Sequence, residues 1–255
     1  MLQQEIILNS ASLSLPLAQV GRLAGTVRPV AELRPGERRQ MYCLLARYFN
    51  NVQPGPFERD LAEKEWVILL TDTEQGQIRG FSTLMRLQTE IDGQPVVAFF
   101  SGDTIIEPAY WGETLLPRLW GRHVFGLAQH LQGVKVYWFL ISSGYKTYRC
   151  LPVFFREFYP TYERPTPPAL KQVLDYLGRL KFPAEYHAEQ GIIRFNQAAP
   201  LRPGVAEITG RRLKDPHVAF FAAANPGHVD GDELACLVEL TPSNLTPAGR
   251  RVVGV

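Results

Sequence analysis

The stretch 78–107, "IRGFSTLMRLQTEIDGQPVVAFFSGDTIIE", constrains the chain more than any other part of it. β-Branched and aromatic residues run on both sides of "DGQ", and an Asp-Gly pair between two such runs is a tight-hairpin signal. Two long antiparallel strands are therefore predicted over 77–107, joined near Gly93. "WVILLTD" before them reads as a buried strand, with "TEQGQ" as the intervening turn. After them, the segment 112–131 places Leu115, Leu119, Trp120, Val124, Leu127, Ala128 and Leu131 on one helical face, and "VKVYWFLIS" is another buried strand. A strand, a helix and a further strand make a crossover, which favours parallel pairing of the outer two. Strand 134–142 should lie beside the end of strand 96–106 and splay from it to open a cleft. The fold class is α/β (α+β): a mixed, mainly antiparallel central sheet flanked by helices, with extra C-terminal helices.

The flanks are read from the same periodicities. In "RPGERRQMYCLLARYFNN", Met41, Leu44, Leu45, Tyr48 and Phe49 follow helical spacing, and "FERDLAEKE" suggests a second short helix. The first 25 residues lack strong periodicity, apart from a short strand at "EIILN". A helix is expected over 145–158, and another at "TPPALKQVLDYLGRL" with Thr166 as its cap. "GIIRF" is a short strand and "DPHVAFFAAAN" a helix. "DELACLVEL" is read as a strand, because Leu234, Cys236, Val238 and Leu240 alternate; it should pair with "GIIRF" and complete the sheet. The reading is one domain over 1–255, with a core at 26–160 and an extension at 161–255.

Composition narrows the function. The net charge of +2 and the scattered Lys and Arg offer no block of the kind that binds nucleic acid or a membrane surface. The longest apolar runs, "VVAFF" and "WFLI", are far too short to span a bilayer. The N-terminus has no basic region followed by a long apolar one, so a cytoplasmic protein is expected. Cys43, Cys150 and Cys236 lie far apart and form no C-x-x-C pair. His123 and His130 are seven residues apart on one helix, too far for one metal, and no metal is implied. The dinucleotide fingerprint, the P-loop, H-E-x-x-H and G-x-S-x-G are all missing. "SGYK" matches S-x-x-K, but the companion elements of serine catalysis are absent.

Three places carry chemistry. Asp103 and Glu107 fall on one face of a strand near its end, where a carboxylate could serve as a general base. "YKTYR" at 145–149 follows a buried strand, and functional groups gather where strands of open sheets end; Tyr145 and Tyr148 are candidate proton donors, with packing as the alternative role. The junction "IEPAYWGETLL" runs from a strand into a helix N-terminus, whose first N–H groups have no intrahelical partner and suit an anion.

This order of elements resembles the core of the GCN5-related N-acyltransferase (GNAT) superfamily over roughly 30–160. There, a loop after the fourth strand holds the pyrophosphate of acyl-coenzyme A on backbone N–H groups. Pro108, Tyr110 and Gly112 match its consensus, and "WFLIS" with "YKTYRCLPVFFREFYP" resembles the fifth strand and fourth helix. The chain departs from the family at Trp111, Thr114 and Leu116, where Arg or Gln and small residues are usual, and at Phe154 or Phe155, where the helix tyrosine falls. The resemblance implies an acyl-CoA or another acyl-thioester as donor, held by Ile105, Ile106, Tyr110, Trp111, Gly112, Glu113, Thr114 and Leu115, with the diphosphate on the N–H groups of 112–115. It implies Asp103 or Glu107 as base, Tyr145 or Tyr148 as acid, and His228 on the acceptor side. The acceptor would be a small-molecule amine or hydroxyl; no nucleic acid or membrane partner is implied, and a homodimer is one open option. The alternative is a non-catalytic ligand-binding or interaction protein that keeps the fold.

Overall fold

The hairpin signal, the crossover and the alternation at 233–239 together build one mixed sheet. The computed structural model describes residues 14–254, and the strand expected at 5–9 lies outside them. In chain order come β1 (Leu15–Val20), β2 (Leu23–Pro29), α1 (Pro35–Tyr48), α2 (Pro54–Ala62), β3 (Trp66–Asp72), β4 (Ile78–Ile91) and β5 (Gln94–Ile106). Then follow α3 (Leu115–Ala128), β6 (Lys135–Ser142), α4 (Tyr145–Tyr148), α5 (Cys150–Phe154), α6 (Pro168–Lys181), β7 (Tyr186–His187), β8 (Ile192–Ile193), α7 (Pro216–Ala224), β9 (Glu233–Glu239) and α8 (Pro247–Val253). The strand order is β1-β2-β3-β4-β5-β6-β9-β8-β7. Only β5 and β6 pair in parallel, as the crossover requires; the other pairs are antiparallel.

Helices cover both faces. On one, α3, α5, α7 and α8 bury Leu115, Leu119, Leu151, Phe221 and Val253 against Val97, Phe99, Trp138 and Val238. On the other, α1 and α2 cover β3 and β4 through Met41, Leu44, Phe57 and Leu61, while α6 covers β6 and β9 through Val173, Leu174 and Leu177. No helix among the described residues is long and apolar enough to cross a membrane.

Several local readings need correction. β1 and β2 form where periodicity is weak, because small residues blur the alternation of "LAGTVRP". Gly25 is one of them, and a Cβ there would come within 2.5 Å of Leu119 Cδ1. The helix expected over 145–158 is broken into α4 and α5 and ends at Phe154. Pro152 has no N–H to give to the carbonyl of Tyr148, so the helical ladder cannot run through. Thr166 does not cap α6; the cap position is Pro167, with Pro168 in the first turn.

The parallel rungs of β5 and β6 end at Ser101↔Leu140, although β5 continues to Ile106 and β6 to Ser142. The two strands therefore part beyond Ser101. The last rung is locked: Ser101 Oγ accepts hydrogen bonds from the indole N–H of Trp120 on α3 (3.0 Å) and of Trp138 on β6 (2.9 Å). Both indoles are buried, with ring centroids 4.3 Å apart. Ser101→Ala should destabilise the fold by about 2–4 kcal/mol, since each orphaned buried donor costs about 1–3 kcal/mol. Urea unfolding checks this, and a loss below about 1 kcal/mol would show that the indoles find other acceptors.

Candidate active site at the parting of two strands

Just past the Ser101 rung, β5 carries a bulge. Ser82 pairs with Thr104 and Leu84 with Ser101, so Gly102 and Asp103 together oppose the single residue Thr83. The bulge inverts the side-chain phase. Val97 and Phe99 face α3, whereas Ile105 faces α1 and α2. Asp103 and Glu107 share the phase of Ile105 and so point to the α1/α2 face.

Asp103 is half-buried there beside Lys64, whose side chain is wholly buried and whose Nζ is committed to Asp60, at 2.5 Å to Oδ1 and 3.0 Å to the carbonyl. A Cβ on Gly102 would lie 2.6 Å from both Lys64 Cε and Thr83 Oγ1, so glycine at the bulge lets the lysine lie against the strand. Burial pushes the Asp103 carboxyl up to about 7, with the charge of Asp60 adding and that of Lys64 opposing. Glu233, half-buried at the start of β9, is pushed up to about 8 by burial, then by Asp103 and Asp60. Burial together with their mutual charge thus holds both carboxyls toward the protonated form.

Glu107 is differently placed. It is buried between two guanidinium groups, Arg47 at 2.5 Å and Arg79 at 3.1 Å. A carboxylate so paired joins β5 to α1 and is not free to act as a base. Tyr148 is also corrected: it is 0% exposed, packed against Phe158, Phe220 and Phe221, and its hydroxyl donates to the carbonyl of Pro160 at 2.9 Å. Burial raises its pKa, and it faces no cleft. Tyr145 is buried in the same core, with Arg212 6.0 Å from its ring centroid. His228 is half-buried, with Nδ1 2.8 Å from the carbonyl of Asn225 and its ring edge-on to Phe221. It neighbours Val229 and Asp230, which line a cavity of about 610 Å³ with Asn51, Gln53, Gln197 and Pro200.

The junction into α3 is a short turn at Pro108–Tyr110 and then the helix. Gly112 has φ +99°, which favours glycine. The side chains of Ile105, Tyr110 and Leu115 are buried in the core, Tyr110 with its hydroxyl on Asp72, so these three could offer a ligand only their backbone groups. Ile106 is half-buried against the α3 side of the core. Of the N–H groups at 112–115, that of Glu113 is already given to the carbonyl of Tyr110, and the Glu113 carboxylate lies against the turn at Gly21. The N–H groups of Gly112, Thr114, Leu115 and Leu116 make no backbone hydrogen bond among the described residues.

Trp111 crosses the mouth of the parting strands. Glu107 N–H donates to Arg79 on β4, so by alternation the Ile106 carbonyl faces the open edge of β5. Trp111 Nε1 donates to that carbonyl at 2.9 Å, and Lys146 of α4 sits 3.3 Å above the indole centroid. Lys146 Nζ in turn donates to the carbonyl of Val205 at 2.6 Å. The segment before Val205 is tied to the end of α1 by the Phe49↔Leu201 bridge and by Arg202 N–H to Tyr48 (2.8 Å).

Sequence reasoning missed Glu233, Lys64 and Asp60. A signal for Glu233 is present: it shares the phase of Ala235 and Leu237, which is an inward one.

No family model matches the chain, and no curated relative matches it. Among solved structures it is similar to N-myristoyltransferase from Saccharomyces cerevisiae with bound myristoyl-CoA: 10% identity, 51% of this chain and 32% of that one, TM-score 0.38. This chain thus spans about a third of that enzyme's length. It is also similar to the GNAT family N-acetyltransferase YhbS from Escherichia coli in complex with CoA (17% identity, 54% of this chain and 72% of that one, TM-score 0.34). A third is a conserved protein of unknown function from Enterococcus faecalis, described as a probable N-acyltransferase (14% identity, 86% and 66%, TM-score 0.39). The fold is GNAT-like by its element order, its one parallel pair and the parting of that pair. What the site can do follows from this chain's own residues.

The raised carboxyls predict a pH dependence with a definite sign. Asp103 moves from 3.8 to about 7 and Glu233 from 4.5 to about 8 on folding. Between those limits the folded chain keeps protons that the unfolded chain has released, so stability falls as pH rises from about 4 to about 8. The double variant Asp103→Asn, Glu233→Gln should flatten this fall in urea titrations across that range. A slope equal to wild type would show that neither group keeps its proton on folding.

Proposed function

We propose that the chain transfers an acyl group from an acyl-thioester, acyl-CoA or a carrier-bound equivalent, to an amine or hydroxyl, with Asp103 as general base. The observation that carries this reading is the bulge at Gly102–Asp103, which sets a carboxyl of raised pKa beside the point where β5 and β6 part. The acceptor's lone pair forms the bond to the acyl carbon and the C–S bond breaks. Asp103 takes the acceptor's proton, and the departing sulfur leaves as a thiol once a proton returns to it. Residues 161–255 act as part of the same domain, since they supply Glu233.

A second reading, a non-catalytic ligand-binding or interaction protein, is favoured by one observation. Trp111 already occupies the Ile106 carbonyl under the Lys146 roof, so a donor arm running along that edge must displace it.

General acid–base help is worth about 10²–10⁴-fold. Asp103→Asn should lower transfer from acyl-CoA to an amine panel by that factor without unfolding the protein. Tyr148→Phe should keep turnover and lose about 1 kcal/mol of stability with its hydrogen bond. Wild-type protein that gains several degrees of Tm with acyl-CoA yet transfers nothing would favour the second reading. Full activity in Asp103→Asn would sink the first.

A further inference from the structure

The end of the sheet away from the wedge holds a cavity of about 340 Å³. Tyr137 on β6 and Leu237 on β9 form its floor, and Tyr137 pairs with Glu239 at the last rung those strands share. Tyr159 lies beside them, because the chain after α5 runs along the outer edge of β9 and exchanges two backbone hydrogen bonds with Leu237, at 2.9 and 2.7 Å. Residues paired in this way point to one face, so Tyr159 joins Leu237 on the α6 side. α6 covers that face with Val173, Leu174 and Leu177, and Leu170 in its first turn supplies the cavity's remaining apolar wall. The rim is fixed by hydrogen bonds. The Asn244 side chain donates to the carbonyls of Glu157 and Glu239, both at 2.9 Å, and accepts from the Glu157 N–H at 2.8 Å. Arg156 Nε donates to the carbonyl of Leu245 at 3.1 Å, and its two terminal nitrogens make no hydrogen bond among the described residues.

Two hydroxyls of the lining are unspent. Tyr110 and Tyr148 are as deeply buried, and their hydroxyls go to Asp72 and to the carbonyl of Pro160; that of half-buried Tyr186 goes to Asp175. Tyr137 is 1% exposed and Tyr159 6%, yet neither hydroxyl makes a hydrogen bond among the described residues. A buried phenol usually finds a partner, and these two line the same cavity. Burial, with the charge of Glu239 adding, pushes the Tyr137 phenol up to about 12, so it stays a donor across the neutral range.

The lining defines the occupant by its chemistry. Two phenol rings and two leucine side chains accept an apolar body. Tyr137, Tyr159 and Arg156 offer O–H and N–H donors, which suit a carboxylate. Glu239 stands directly across from Tyr137, is in no ion pair among the described residues, and suits an ammonium. A bare carboxylic acid would leave Glu239 unanswered and a bare amine would leave Arg156 so, whereas a zwitterion answers both. The volume falls at the lower end of the about 300–1,000 Å³ of small-molecule sites.

We infer that this cavity binds a free α-amino acid with an apolar side chain. It is not the acceptor's seat in the transfer proposed above. Glu239 closes one end of β9, and Glu233, which feels the charge of Asp103, opens the other, about 20 Å away at about 3.4 Å per residue. The site therefore stands whether or not the chain transfers acyl groups.

The test titrates L-phenylalanine and L-leucine into the full chain, read by calorimetry and by Tm. Both should bind and raise Tm. Phenylpropionate, which lacks the ammonium, and phenethylamine, which lacks the carboxylate, should bind about tenfold more weakly or worse. Tyr137→Phe and Tyr159→Phe remove hydroxyls that hold nothing within the fold, so each should keep the wild-type Tm without ligand and weaken phenylalanine about tenfold. Glu239→Gln should weaken phenylalanine by a similar factor and leave phenylpropionate no weaker. No heat and no Tm shift with either amino acid at millimolar concentration overturns the site, and so does wild-type affinity in both tyrosine variants. Phenylpropionate binding as tightly as phenylalanine overturns the assignment to an amino acid.

Discussion

A single hydroxyl holds the cleft in place. Ser101 Oγ accepts two indole hydrogen bonds, one from α3 and one from β6, on the last rung that β5 and β6 share. Three elements are pinned at that point, and beyond it the strands are free to diverge. β6 keeps its ladder with β9 as far as Ser142↔Leu234, while β5 keeps its ladder with β4 as far as Gly80↔Ile106. Each strand is satisfied on its outer side, so the unpaired inner edges face each other across a wedge. A wedge between parallel strands with unpaired backbone groups is costly unless something uses those groups. Here Trp111 uses one of them, the Ile106 carbonyl.

The bulge next to that rung decides which face of the sheet the following side chains take. Without the extra residue, Asp103 would keep the phase of Phe99 and face the apolar side under α3. With it, Asp103 and Glu107 turn together to the α1/α2 face, and their fates separate by neighbour alone. Glu107 meets two guanidinium groups and is neutralised in an ion-pair network. Asp103 meets a lysine already bound to Asp60, so burial outweighs attraction and its carboxyl stays near neutrality in its titration. Two acids four residues apart thus meet opposite surroundings, one held in an ion-pair network and one with its carboxyl raised by burial.

The sequence made the meander, the crossover and the β9 alternation legible, because each rests on a run of side chains repeated at one period. It hid whatever depends on a single residue changing a run. Pro152 breaks the ladder of the 145–158 helix, which ends at Phe154, about one turn early, and Tyr148 is sealed in the core. Small residues in "LAGTVRP" conceal β2, whose Gly25 admits α3. The face shared by Asp103 and Glu107 follows from alternation, but which face it is depends on a bulge that no periodicity announces. Glu233 was readable only as a charge at an inward phase, and nothing local says that its neighbour across β6 is another acid.

The segment after Pro200 links the two sides of the wedge. Arg202 reaches the carbonyls of Ala46 and Phe49 at the end of α1, and Val205 takes the ammonium of Lys146, which lies on Trp111. α1 also carries Arg47, which holds Glu107, the residue that follows β5. A closed circuit therefore runs from β5 through Glu107 to α1, along 200–205 to α4, and back through Trp111 to β5. Any ligand that takes the Ile106 carbonyl must break the circuit at Trp111, freeing Lys146 from the indole while leaving its bond to Val205 intact.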